Sequence, residues 1–175
     1  MFKKNLNQDS TSGSTGDRRP CGIGAFSCLL LLASLCILGC QAIPPMPAVN
    51  LSESGWTTHQ GQVVWRSKTA APEIAGELVV ASNPDGRTFV QFTKTPLPFI
   101  VAQATTNTWQ IHIIPNNKTY SGHGLPPSRL SWLYLPRCLS GYPPPKFWSW
   151  HQTDANGWRL ENSLTGEFLE GYLTP

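Results

Sequence analysis

Residues 73–94 read EIAGELVVASNPDGRTFVQFTK. Two apolar-rich runs, 73–82 and 87–94, flank Asn83-Pro84-Asp85-Gly86. Every residue of that tetrapeptide favours a reversal: proline presets φ, Asn and Asp bond nearby backbone, and glycine accepts a positive φ. Val, Phe and Thr dominate the flanks, so the unit predicts a β-hairpin.

The same pattern extends both ways. Residues 61–67 (GQVVWRS) precede it, and 99–105 and 107–114 follow. In the last of these Trp109, Ile111 and Ile113 share one face, with Gln110 and His112 on the other. Residues 147–152, 158–162 and 167–173 continue the series, separated by Asp154-Ala155-Asn156-Gly157 and Thr165-Gly166. Eight strands with short connections predict a mainly β protein built as an antiparallel meander. The run 125–135 (LPPSRLSWLYL) reads as a short helix or as a strand. Pro127 suits a first helical turn, and Pro136 is expected to limit the length.

Several strands are apolar on both faces. Val63 and Trp65 oppose Val64, Phe89 opposes Val90, and Phe99 and Val101 oppose Ile100. A sheet wetted on one side alternates more cleanly. Both faces therefore need cover: a barrel-like interior on one side, and a helix, a partner or the membrane on the other.

The chain has 175 residues, which suggests one domain plus an appendage. Residues 1–22 are polar with Lys3, Lys4, Arg18 and Arg19, whereas 23–39 are uncharged and contain Leu29-Leu30-Leu31-Leu32. Without residues 1–39, nine basic and eight acidic side chains remain. That balance lacks the clustered Lys and Arg of a nucleic-acid footprint. A basic start, an apolar stretch and small residues at its end describe a secretory signal peptide.

Its ending, Ile37-Leu38-Gly39-Cys40, resembles the lipobox of bacterial lipoproteins. The resemblance implies a diacylglyceryl thioether on Cys40, cleavage after Gly39, and further acylation such as palmitate on the new amino group. Cysteine supplies the soft nucleophile, and Gly39 leaves room for the protease. The alternative is a signal anchor, since the apolar run 23–43 approaches the ~20 residues that span a bilayer. Either way the positive flank stays inside and the body lies outside the cytoplasm. The organisation expected is a signal peptide over 1–39, a lipidated Cys and Pro-rich tether over 40–54, and one β-rich domain over 55–175. As a polyproline-like spacer at about 3.1 Å per residue, the tether would carry the body some ~40 Å from the membrane. Gln41 after the lipid-bearing Cys, rather than Asp, implies outer-membrane sorting by analogy with enteric bacteria.

Chemistry-bearing motifs are few. No nucleophile elbow, zincin motif or phosphate-binding glycine loop occurs, and no cofactor or enzyme activity is expected. His59, His112, His123 and His151 are far apart, with no metal ligand at short spacing. His123, between Gly122 and Gly124, reads as a turn residue. Glu161, Glu167 and Glu170 are candidates for a carboxylate pair, but alternation places them on solvated faces. Cys138 after Arg137 reads as a buried structural thiol. Trp148, Trp150 and Trp158 are either core or a sugar-stacking platform, since aromatics serve both ends.

A lipid-anchored antiparallel meander, apolar on both faces, resembles the lipoprotein carrier and receptor proteins of the outer-membrane sorting (Lol) pathway. The resemblance covers residues 55–175 and implies an open, incomplete β-barrel with one or two short helices over an acyl-binding cavity. Strand position and size nominate Trp65, Phe92, Val101, Trp109 and Ile111 as cavity residues. Leu97, in Thr95-Pro96-Leu97-Pro98, takes the place of the receptor's apolar membrane-contact loop. The expected function is a non-enzymatic envelope lipoprotein that binds acyl chains, in the outer membrane facing the periplasm. The alternatives are a peptidoglycan-binding module and a purely structural envelope protein.

Overall fold

The computed structural model describes residues 44–154 and 156–174. The expected signal peptide over 1–39 and the candidate residues Gly39, Cys40 and Gln41 lie outside these described residues. Nine strands form one antiparallel sheet: β1 (Thr57–Arg66), β2 (Ile74–Ser82), β3 (Thr88–Lys94), β4 (Leu97–Ala104), β5 (Thr108–Ile113), β6 (Lys118–His123), β7 (Trp148–Gln152), β8 (Gly157–Asn162) and β9 (Phe168–Thr174). A 3-10 turn (Ile114–Asn116) and one helix, α1 (Ser131–Leu139), complete the described elements. The order is β6-β5-β4-β3-β2-β1-β9-β8-β7. Strands β6 and β7 are free edges, so the sheet stays open. The mainly β, antiparallel, unclosed architecture is the one the sequence predicts.

The turn at 83–86 sits where expected. The Gly86 N–H donates to the Asn83 carbonyl at 2.9 Å, and Gly86 has φ +90°. Strand β6 (KTYSGH) went unforeseen because an edge strand needs little apolar patterning. The predicted helix shifts to Ser131–Leu139 and runs through Pro136 instead of stopping before it. A turn closed by the Leu130 N–H on the Pro127 carbonyl at 2.9 Å precedes the helix. Pro136 removes one intrahelical hydrogen bond, but its ring is buried in the core along with Leu135 and Cys138. A glycine cap then ends the helix. Gly141 adopts φ +84°, its N–H donates to the Cys138 carbonyl at 3.0 Å, and the Tyr142 N–H reaches the Arg137 carbonyl at 3.0 Å.

Cross-strand register sorts the side chains. Val63, Leu78, Val90, Ile100 and Ile111 point to the concave face, as do Trp158, Leu160 and Leu169 across the β1–β9 pair. Trp132, Leu133, Leu135 and Cys138 of α1 pack into that face, and all are nearly inaccessible to water. A bulge where Phe92 pairs Ile100 but Thr93 pairs Pro98 leaves Phe99 extra. Phe99 therefore joins Ile100 on the concave side, with ring centroids 6.1 Å from Trp65 and 5.9 Å from Phe92. The β1–β9 seam joins the two parts of the sheet, and it needs glycine. A Cβ on Gly61 would lie 1.9 Å from the Tyr172 carbonyl oxygen, and one on Gly171 would lie 2.3 Å from that of Gln62.

Part of the convex face, from β5 to β2, is covered by the chain itself. The Met46 N–H donates to Gln110 Oε1 on β5 at 2.8 Å. Glu53 pairs with Arg87 at 3.0 Å, and the Arg87 guanidinium lies 5.2 Å from the Trp56 ring centroid. The strap so pinned runs from β5 to the β2–β3 turn. Between its anchor points the outward-facing Ala81, Phe89 and Gln103 are buried. Residues 46–54 are thus part of the domain surface and not a free spacer. From Cys40 to the pinned Met46 six residue steps remain, at most about 20 Å, instead of the ~40 Å expected from composition. Residues 43–175 form one compact unit with its own core, so this segment contains what it needs to fold alone.

Candidate functional site

The antiparallel register places the connections at two ends. The β1–β2, β3–β4, β5–β6 and β8–β9 turns make an upper rim, and the β2–β3, β4–β5 and β7–β8 turns a lower rim. Helix α1 starts near the upper rim, where the Ser131 hydroxyl donates to Glu167. It ends at the lower rim.

Of the cavity residues expected from sequence, Trp65, Phe92, Trp109 and Ile111 share the concave face. The space before them is filled by the helix. Trp132 stacks on Phe92 (5.1 Å between centroids, 18° between planes) and meets Trp65 edge-on at 5.8 Å. Val101 does not join them: its register partners Gln91 and His112 place it on the convex face.

On the concave side the open space lies beside the helix. A cavity of about 440 Å³ opens at the lower rim, between the last turn of α1 and strands β1, β2, β7, β8 and β9. Val80, Leu139, Trp158 and Leu173 supply apolar wall, and Trp150 stacks on Trp158 at 5.7 Å and 9°. His59, Gln152, Asn156 and Thr174 stand at the rim end of these strands and bring polar groups to the mouth. A second cavity of about 660 Å³ flanks the other side of the helix end and is walled by Leu133, Pro136, Ala104 and Tyr142. Both lie within the 300–1,000 Å³ of small-molecule sites. Sequence reasoning missed His59, Val80, Leu139 and Leu173. His59 and Val80 were within reach, because stepping by two from Trp65 through Val63 and Gly61 leads to His59, and His59 pairs with Val80.

The tryptophans nominated for sugar stacking point inward. Trp148 and Trp158 are buried, and the Trp148 indole donates to the Ser128 carbonyl at 2.7 Å. Only Trp150 is partly exposed. The indole N–H groups of Trp109, Trp132 and Trp158 are buried without an acceptor among the described residues.

Cys138 is buried, and burial pushes its thiol up to about 11. At neutral pH it is therefore a neutral thiol in the cavity wall. His123 closes β6 as an exposed residue; its neighbour Gly122 makes room for Trp109, whose ring would lie 2.4 Å from a Cβ there. No group of three or more metal-ligating side chains occurs among the described residues.

Two of the three glutamates follow the solvated-face expectation. Glu161 and Glu170 lie on the convex side and both bond Arg159, whose guanidinium covers Phe168 at 4.3 Å. Glu167 does not follow it. It turns inward, accepting from Ser131 Oγ at 2.8 Å and Trp65 Nε1 at 3.2 Å, and so ties the helix start to β1. Burial raises its pKa above the ordinary carboxylate value, outweighing those two bonds. A carboxyl with a raised folded pKa binds more protons folded than unfolded between the two values, so stability falls as pH rises through that window. The window opens near pH 4.5, and each unit of elevation costs about 1.4 kcal/mol above it. In melts across pH 4 to 7, Glu167→Gln is expected to remove this decline. An unchanged pH slope would show that Glu167 ionises freely.

Neither a scan against protein-family models nor a search of curated proteins finds a match to this chain. The fold and site themselves define an open antiparallel half-barrel, plugged over one part of its concave face by a single helix and hollow over the rest.

Proposed function

We propose that this protein is a non-enzymatic cell-envelope lipoprotein, anchored by a lipidated Cys40, whose half-barrel binds an acyl chain or another elongated apolar ligand. Lipid or lipoprotein handling at the outer membrane, facing the periplasm, is the setting this reading implies. The observation that carries it is the lower-rim cavity, with aromatic and aliphatic walls inside and His59, Gln152 and Asn156 at the mouth. An amphiphile matches that division: its tail gains from leaving water, and its head keeps polar partners. The paired rings of Trp150 and Trp158 present a flat apolar wall that suits a straight chain. In this reading Leu97, 68% exposed at the tip of the β3–β4 hairpin, is the membrane-contact residue.

The test uses residues 44–175 and a fluorescent fatty-acid probe. Leu139 is half-buried and borders the cavity, so Leu139→Trp fills the space without entering the packed core. Probe affinity is expected to fall at least about tenfold, the effect of losing roughly 1.4 kcal/mol of contact, with melting unchanged. Absence of probe binding by the parent domain, or equal binding by a folded Leu139→Trp variant, would sink the proposal.

A further inference from the structure

The upper rim gathers an excess of positive charge. All four lysines of the described residues lie there: Lys68 in the β1–β2 connection, Lys94 at the end of β3, Lys118 at the start of β6, and Lys146 just before β7. They are far apart in sequence, and only the meander gathers them. All four are exposed, and none forms an ion pair among the described residues. Two of the acidic groups nearby are engaged, and a third, Glu77, stands exposed on β2 opposite Thr93. Glu73 faces Arg66 at 3.6 Å, and Glu167 is tied to Ser131 and Trp65. The lower rim mixes its charges, with Glu53, Asp85 and Asp154 against Arg87 and Arg137.

Apolar side chains protrude between the lysines. Leu97 and Leu164 are each 68% exposed, at the β3–β4 and β8–β9 turns, and Phe147 is 46% exposed beside the second. Phe147 is held at φ +71°, a conformation rare for a bulky residue. Its carbonyl accepts from the Ser163 N–H at 2.9 Å, which sets it next to Leu164, and the Lys146 ammonium lies 4.7 Å from its ring centroid. Backbone held so far from its preference, and used to expose an aromatic ring, suggests a role for that ring outside the domain. The lower rim also exposes Leu125 and Tyr142, so the gathering of all four described lysines is what distinguishes the upper one.

We propose that the upper rim docks on an anionic lipid surface, with Lys68, Lys94, Lys118 and Lys146 at headgroup level and Leu97, Leu164 and Phe147 inserted below them. The charge complementarity names the surface, since lysines near an anionic leaflet are attracted to it. The spacing names its form. The two apolar prongs stand four strand steps apart, roughly 19 Å along the sheet at 4.7–4.9 Å per step. A flat fluid surface accepts such prongs without a matching socket. The inference widens the Leu97 reading from one loop to a rim and assigns the charge of the membrane. It does not depend on what fills the cavity, whose mouth it turns away from the bilayer.

The test is cosedimentation of residues 44–175 with vesicles of phosphatidylcholine alone or of phosphatidylcholine with about one third phosphatidylglycerol. Binding is expected on the anionic vesicles only, falling at least about tenfold when the Debye length shrinks from about 10 Å at 0.1 M salt towards 3 Å at 1 M. Replacing the four lysines by glutamine should abolish it. Leu97→Ser with Leu164→Ser should weaken it severalfold, and Arg87→Gln with Arg137→Gln on the lower rim should leave it unchanged. Each variant is melted first, and every substituted side chain but that of Arg87 is exposed, so folding is expected to survive. Equal binding to neutral vesicles, full binding by the folded lysine variant, or binding to immobilised polyglutamate but not to vesicles would each overturn the proposal. The cavity reading is scored separately by the fatty-acid probe.

Discussion

Phe92→Ala is expected to cost about 3–5 kcal/mol, the range for truncating a fully buried aromatic. Phe92 has no accessible surface. It stacks on Trp132 and meets Trp65 and Phe99 at 6.4 and 5.9 Å, so one ring links the helix, β1 and β4. Packed aromatic pairs add about 0.5–1.5 kcal/mol each beyond area burial. Its removal opens a hole that neither the sheet nor a helix held by Glu167 can collapse to fill. The whole stability of a single domain is about 5–15 kcal/mol, so this variant should populate unfolded chain near body temperature. Urea melts of residues 44–175 followed by tryptophan fluorescence measure it. A loss below about 1 kcal/mol would mean that the helix does not pack on β3.

The second large effect concerns location. With metabolic labelling by an alkyne fatty acid, Cys40→Ser is expected to lose all label. A serine hydroxyl is a far weaker nucleophile than a thiol at neutral pH, and no other side chain stands at that place in the motif. One acyl chain holds only marginally and two or three hold essentially irreversibly, so the parent should resist a salt wash. Label retained by the serine variant would remove the lipid from the account. Any salt-sensitive membrane binding that persists without the label belongs to the lysine rim.

The strand pattern was readable because a sheet face repeats every two residues, and two neighbours in sequence already reveal it. Trp109, Ile111 and Ile113 were grouped correctly on that basis, as was the hairpin around 83–86. Position along the chain does not say which face of the sheet a partner will cover. Val101 was nominated for the interior because it is large and apolar, yet the register puts it outside. The bulge at Phe99 breaks the alternation next to it, and a bulge leaves no mark in an apolar run. Glu167 looked solvated for the same reason. Its inward turn exists only because Ser131 and Trp65, 36 and 102 residues away, converge on it.

By itself, the sequence determined eight of the nine strands, most of their turns, the motif ending at Cys40 and the apolar character of both sheet faces. These follow from local rules, since dihedral preferences and period-two burial act between near neighbours. Only the tertiary structure decided what the covers are: α1 inside, and the Pro-rich strap outside, where composition suggested a free tether. It also decided that the cavity lies beside the helix and not under it, and that four scattered lysines share one rim. The cavity and the place of Lys146 depend on the β1–β9 pairing, which brings together residues over a hundred positions apart. Contacts at that range are chosen by which surfaces fit, and no window of sequence contains both sides of the fit.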